Sequence, residues 1–189
     1  NKVFYSHMHG DQTHGINDLR SFFLNNKKQI NIFADNATSQ VLKNSFLYCF
    51  ESFSKEYPAT LKLNKLKKEF FNKDKNKKIK IKSIKVQHGK VKSNCFIIDK
   101  KLAYISDVSK ILNKDFKYFR NLKYLIIDCL WYKFHPSHFN LETALQIIKI
   151  LKPKKAILTN LHSDLDYNVL KKKIPNNVIP AHDGLSVSL

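Results

Sequence analysis

Apolar and polar positions along this chain fall into a succession of short runs, alternations and helical stripes. Residues 3–5 (Val-Phe-Tyr) are an apolar run that predicts a buried β-strand at the start. Over 15–24 the spacing becomes helical, with Ile16, Leu19 and Phe23 on one face. Residues 30–34 predict a strand ending at Asp35, and 38–50 a helix with a buried stripe of Val41, Leu42, Phe46 and Cys49. The lysine-rich stretch 58–71 reads as paired, partly exposed strands or a hairpin, and 72–76 as a turn by composition. Residues 79–87 alternate, with Ile79, Ile81, Ile84 and Val86 apolar and one slip near Ser83.

The second half repeats the theme. Residues 95–98 and 102–106 predict a hairpin around Asp99, Lys100 and Lys101, ending at Asp107. A fully apolar strand over 124–127 ends at Asp128. An amphipathic helix over 141–151 is stopped by Pro153, and a strand over 156–159 leads into Asn160-Leu161-His162. A last exposed helix over 166–173 precedes 178–179 and 185–189, which close the chain. Strands and helices alternate in both halves around a more antiparallel middle. That predicts an α/β layered fold with sheets covered by helices, in a single domain over 1–189, since no linker or repeat divides it.

Composition narrows the class. The chain has 189 residues, 43% hydrophobic and 12% aromatic, enough for a real core and unlike a disordered segment. No apolar stretch approaches the roughly 20 residues of a membrane span, so no membrane partner is expected. Lysine and arginine number 34 against 15 acids, a net charge of +19 that invites a nucleic-acid reading. Only Arg20 and Arg120 are arginines, however, and phosphate readers favour the planar guanidinium fork. Most of the charge therefore reads as lysine-rich background. Cys49, Cys95 and Cys129 are widely spaced among apolar neighbours and read as buried free thiols in a reducing, cytoplasmic setting.

The chemistry concentrates just past the first strand. In Ser6-His7-Met8-His9-Gly10-Asp11-Gln12, two imidazoles and a carboxylate occupy every second position. In extended backbone, alternate side chains share a face, so His7, His9 and Asp11 are expected to converge, as a divalent ion such as zinc requires. A solvated polar loop is the plainer alternative for the same residues. His7, His88, Asp107 and Asn160-Leu161-His162 each lie beyond the carboxyl end of a predicted strand, where sites gather in α/β folds.

These residues, together with His138 in Pro136-Ser137-His138-Phe139-Asn140-Leu141 and with Asp183-Gly184-Leu185, form an ordered set. Ser-His-Met-His-Gly-Asp-Gln after a strand resembles the H-x-H-x-D-H signature of the metallo-β-lactamase superfamily. The whole set is similar to the branch containing the phosphoribosyl 1,2-cyclic phosphate phosphodiesterase, a cousin of the tRNA 3′-end processing ribonucleases. The resemblance implies an αββα sandwich, whose first strands would precede Asn1. It implies that His7, His9 and His88 hold one metal ion, which Asp107 completes or bridges. Asp11, with the last signature histidine and a histidine after the late strand, would hold a second ion.

The chain departs from the pattern at both of those last places, with Gln12 and Asn160. Carboxamide oxygens are weaker ligands for zinc than imidazole. One tightly held Zn2+ or Mn2+ is therefore expected, with the second position (Asp11, Gln12, Asn160 and His162 as a replacement imidazole) weak or empty. His14 reads as a helix-entry residue or a group behind the ligands. A divalent ion lowers the pKa of bound water to about 7. Asp11 would then orient that water or take its proton. His138, otherwise a neighbour of a helix N-cap, would contact phosphate or protonate the leaving oxygen. His135 and Arg20 are candidate phosphate contacts, Arg20 alternatively pairing with Asp18, and Asp128 would support the ligands from behind. The function implied is hydrolysis of a small, cyclic or nucleotide-like phosphodiester. The alternatives are a ribonuclease of the tRNA 3′-processing type and a non-catalytic nucleic-acid-binding protein on the same scaffold, and a homodimer would be unsurprising.

Overall fold

The computed structural model describes residues 2–74 and 77–189. Its Cα packing divides the chain into two compact units, Asn1–Lys67 and Lys68–Leu189.

The first unit is built on a parallel sheet of order β1-β2-β3, comprising β1 (Lys2–Phe4), β2 (Ile30–Ala34) and β3 (Leu61–Lys65). Ile30, Ile32 and Ala34 alternate onto one face of β2 and are buried. Leu42, Phe46 and Cys49 of helix α3 (Asn36–Phe50) join them in one core with Tyr5, Ile16 and Leu61. The helix begins two residues earlier than the expected start at Thr38, because Asp35 caps it. Its carboxylate accepts from the Thr38 amide at 3.1 Å and from Thr38 Oγ1 at 2.9 Å.

Two expectations fail in this unit. Residues 15–24 are not one helix. A single helical turn, α1 (Gly10–Thr13), runs into a 3₁₀ turn over His14–Asp18, and α2 (Leu19–Asn26) follows. The tighter 3₁₀ winding rotates the faces relative to an α-helix, so Ile16 is buried while Leu19 and Phe23 are only partly covered. Residues 58–71 do not pair with themselves either. Leu61–Lys65 runs parallel to β2, whereas Glu69–Asp74 joins a strand of the other unit's sheet.

The second unit holds a seven-stranded sheet of order β10-β9-β8-β7-β6-β5-β4. Its strands are β4 (Glu69–Asp74), β5 (Lys77–His88), β6 (Val91–Ile98), β7 (Leu102–Ile105), β8 (Tyr124–Asp128), β9 (Lys155–Thr159) and β10 (Val178–Pro180). Strands β4 to β7 are antiparallel neighbours, and β7 to β10 are parallel. Of the expected turn over 72–76, Asn72, Lys73 and Asp74 belong to β4, and Lys75 and Asn76 lie outside the described residues. Residues 185–189 form no regular element.

The parallel strands explain their own composition. Ile-Ile in β8 and Ala-Ile-Leu in β9 are continuous apolar runs because both faces of that part of the sheet are covered. Leu125, Ile127 and Leu158 are completely buried, each such side chain contributing roughly 1.5–3 kcal/mol. Helix α4 (Leu141–Leu151) adds Ala144, Ile148 and Leu151 to that core. Asn140 caps it, accepting from the Thr143 amide at 2.9 Å. Helix α5 (Tyr167–Lys173) is capped in the same way by Asp166.

The slip near Ser83 marks a change of covered face on β5. Ile84 and Val86 are core residues, whereas Ile79 and Ile81, of opposite parity, are only half-buried. The β6–β7 hairpin closes where expected, with positive φ at both Asp99 (49°) and Lys100 (54°). All three cysteines are buried free thiols, and burial pushes the Cys129 thiol up to about 12. No helix among the described residues is long and apolar enough to cross a membrane.

Candidate functional site

Three neighbouring strand ends build a cluster of polar side chains in the second unit. Strands β7, β8 and β9 run parallel in adjacent register, so the residues leaving their carboxyl ends arrive side by side. These are Asp107, two residues beyond β7, Asp128, the last residue of β8, and Asn160, the first after β9. Strand β5 brings a fourth group. His88 continues the parity of Ile84 and Val86, which turns it toward the core side, and it is 2% exposed.

Each of these side chains is held on one side. His88 Nδ1 lies 2.7 Å from the Ser137 carbonyl oxygen, so that nitrogen carries the proton and Nε2 keeps its lone pair. The Val108 amide donates to Asp128 Oδ2 at 3.0 Å, and His138 Nδ1 sits 2.8 Å from the same oxygen. Burial raises the Asp128 carboxyl above its usual range, with the His138 hydrogen bond working against that shift. Asn160 Nδ2 faces three acceptors: the Ser106 carbonyl oxygen at 3.0 Å, Asp107 Oδ1 at 3.2 Å and Asp128 Oδ1 at 3.4 Å. Three surrounding acceptors fix the orientation of its amide. Asn160 therefore presents an N–H donor to Asp107, not the ligating oxygen expected at the second metal position.

One atom is left over. Asp107 is 1% exposed, and its Oδ2 is buried with no hydrogen-bond partner among the described residues. An unpaired buried carboxylate oxygen is costly, and a cation is the partner that removes the cost. Donor atoms of His88, Asp107 and His138 lie within 4.8 Å of one another, a spacing that suits a metal ion. His138 Nδ1 is 3.9 Å from Asp107 Oδ1 and is committed to Asp128, which leaves His88 and Asp107 as the better ligand pair.

Gly89 makes this arrangement possible. Its φ is +57°, and a Cβ there would come within 2.6 Å of Ser137 Oγ, in the residue whose carbonyl holds His88. Gly89→Ala is expected to cost roughly 1–3 kcal/mol of stability. Urea midpoints of the two proteins check this.

The first unit carries the signature loop. His7 follows β1 and is buried, with Ser6 Oγ 3.1 Å from its Nδ1 and His9 Nδ1 3.0 Å from its Nε2. The extended alternation ends at His9, because Gly10 starts a helical turn with Asp11 in it. Burial acts to raise the Asp11 carboxyl, but the Gln12 amide, Asp11's own backbone N–H and the His7 and His9 imidazoles together hold it below the usual carboxylate range. Gln12 Nε2 donates to Asp11 Oδ2 at 3.0 Å, and Gln12 Oε1 accepts from Ser6 Oγ at 3.2 Å. Both ends of this carboxamide are occupied, so it braces Asp11 where a ligand was expected.

The remaining candidates divide. His135 Nδ1 accepts from the Ser137 amide at 3.2 Å, and its ring centroid is 5.1 Å from that of His138. His14 bonds the Gly10 carbonyl at 2.8 Å and packs on Phe46, as a helix-entry residue. His162 does not join the cluster. It is exposed, stacks on Trp131 and accepts from the Asp164 amide at 3.2 Å. Arg20 is exposed on α2, with no ion pair to Asp18 among the described residues. The roles of Ser137 and Val108 escape sequence reading, because each acts through its backbone and no side-chain motif announces it.

Residues 1–160 match the family described as the Beta-lactamase superfamily domain. No curated protein sequence matches. Among solved structures, a diphosphatase from the PhnP family is 26% identical with a TM-score of 0.86, over 100% of this chain and 71% of that one. The metallo-β-lactamase-fold protein YhfI from Bacillus subtilis is 18% identical with a TM-score of 0.72, over 98% and 76%. Zinc-bound PqqB from Methylobacterium extorquens is 11% identical with a TM-score of 0.72, over 100% and 73%.

Proposed function

Since this chain belongs to the beta-lactamase superfamily and has the metallo-β-lactamase fold of its hydrolases, we propose that it is a metal-dependent phosphodiesterase acting on a small cyclic or nucleotide-like phosphodiester. The observation that carries this reading is the buried, unpartnered Oδ2 of Asp107 close to the ring of His88, whose Nδ1 is held by the Ser137 carbonyl. His88 and Asp107 are its candidate metal ligands, as are His7 and His9 of the signature loop. The donor set of imidazole and carboxylate fits Zn2+ or Mn2+. The similarity to a PhnP-family diphosphatase supports phosphorus as the electrophile.

A bound divalent ion supplies Lewis acidity toward a phosphoryl oxygen and acidifies water to a pKa of about 7. The chain's own groups do the rest. Asp11, kept ionised near neutrality, accepts a proton from the attacking water, and Gln12 fixes its carboxylate for that task. His138 is oriented by Asp128, which takes its Nδ1–H and stabilises the imidazolium, so that Nε2 can protonate the leaving oxygen. His135 lies beside His138 as a further phosphate contact.

Purified full chain is expected to contain bound metal by elemental analysis and to hydrolyse bis(p-nitrophenyl) phosphate in a chelator-sensitive way. Activity that survives both exhaustive chelation and His9→Ala would rule the reading out.

A further inference from the structure

The geometry points to a further ligand site in the second unit, away from the His88 cluster and built for a small molecule carrying two or more phosphate groups. It is a cavity of about 510 Å³ in which Lys80, Lys82, Lys100, Lys117 and Arg120 face a single carboxylate, Glu69. Strand β5 separates this cluster from the lysine-rich background. Lys80 and Lys82 continue the parity of Ile84 and Val86, which turns them to the core side, and they are only 39% and 30% exposed. Apolar side chains in those places would extend the core. Instead the row turns basic beside Ile97 and Leu122, buried core residues that also line the cavity. The Lys80 amide donates to Asp99 Oδ1 at 2.7 Å, which pins the β6–β7 hairpin to β5 and brings Lys100 to the cavity. Phe119 is completely buried and anchors the segment that carries Lys117, Tyr118 and Arg120.

Glu69 neutralises only part of this charge. Its carboxylate lies 2.8 Å from Lys80 Nζ and 3.8 Å from Lys82 Nζ. Among the described residues, Lys100, Lys117 and Arg120 have no ion pair. Like charges gathered in a concavity repel, and a bound anion offsets that repulsion. Several uncompensated cations match a di- or triphosphate better than one carboxylate. Arg120, one of two arginines in the chain, supplies the planar fork that suits phosphate. Tyr118 spends its ring on ammonium groups, with Lys82 Nζ 3.9 Å and Lys117 Nζ 5.2 Å from its centroid. Phosphate is therefore the group recognised. The volume suits a small molecule, whereas a nucleic-acid backbone tracks an extended groove. Lys82 precedes His88 by six residues of β5, about 20 Å at roughly 3.3 Å per residue, so the two sites are separate. The inference does not rest on the metal-dependent reading.

The test is titration calorimetry of the full chain with tripolyphosphate and, separately, ATP, at about 0.15 M salt, where distant exposed charges are screened. At least one of them is expected to bind saturably, with about one equivalent. Lys117→Glu with Arg120→Glu, both at exposed positions, is expected to weaken it by about tenfold or more, through loss of two charge-assisted hydrogen bonds. Lys43→Glu with Lys55→Glu, exposed in the other unit, makes the same change in net charge and is expected to bind as wild type does. Urea midpoints check folding, and Arg120→Ala decides in place of a reversal that fails to fold. The tighter ligand tells an inorganic chain from a nucleoside polyphosphate. Equal losses in both double variants would overturn the inference, as would binding that His88→Ala abolishes and the Lys117/Arg120 reversal leaves intact. Failure of both ligands to bind would also overturn it, and a single-stranded oligonucleotide weakened by the same reversal would then make nucleic acid the occupant.

Discussion

Asp107→Asn is expected to abolish metal-dependent hydrolysis while making the metal-free protein more stable. The two effects have one cause. Asp107 is buried with one oxygen unpartnered, and its charge adds a small push to the burial that raises the carboxyl of neighbouring Asp128. Without a cation, an ionised group in that place destabilises the fold, and neutralising it should recover about 1–3 kcal/mol. With a cation the sign reverses. An ion at a hundred times its dissociation constant stabilises wild type by about 2.7 kcal/mol, and the variant loses most of that gain. Thermal or urea unfolding of both proteins, with and without Zn2+, reads all four stabilities. A wild type that gains nothing from Zn2+, or a variant less stable than wild type after metal removal, would contradict the assignment of Asp107. A site residue selected for chemistry at the expense of stability is the pattern expected of a functional acid.

His138→Ala is expected to lower kcat by about 10²–10⁴-fold on phosphodiesters with alkoxide leaving groups. On bis(p-nitrophenyl) phosphate the loss should be far smaller, because p-nitrophenolate departs without a proton. This contrast separates proton donation from phosphate binding, which would affect both substrates alike. Asp128→Asn should follow the same leaving-group pattern, because Asp128 Oδ2 accepts the His138 Nδ1 proton and stabilises the imidazolium. Equal losses on both substrates would assign His138 to holding the phosphate. Asn140→Ala, which removes the oxygen that accepts from the Thr143 amide at the start of α4, is a useful contrast, because it tests whether disturbing that helix alone reproduces the kinetic loss.

Much of the fold was legible locally. Apolar runs over 30–34 and 124–127 and the stripe over 141–151 coincide with β2, β8 and α4 almost to the residue. Their periodicity, caps and terminating residues all lie within the segment itself. Residues 58–71 were misread because lysine-rich alternation says that a strand forms, not which sheet it joins. That choice depends on partners at Ile30–Ala34 and at Lys77–His88. The signature loop was likewise misread in one respect, since extended alternation cannot foresee that Gly10 begins a helical turn.

For the site, the sequence by itself determined the chemical types. Imidazoles and carboxylates stand at strand ends, where the alternation of side chains and the termination of each run are local properties. Only the tertiary structure decided what each type does. Asn160 became a donor because three acceptor oxygens, from Ser106 and Asp107 beyond β7 and from Asp128 at the end of β8, surround its amide. Gln12 became a brace because Ser6 and Asp11 take both ends of its side chain, and His162 turned toward Trp131. The physical reason is that a polar side chain's role is set by which lone pairs and protons remain once its neighbours are satisfied, and those neighbours are distant in sequence.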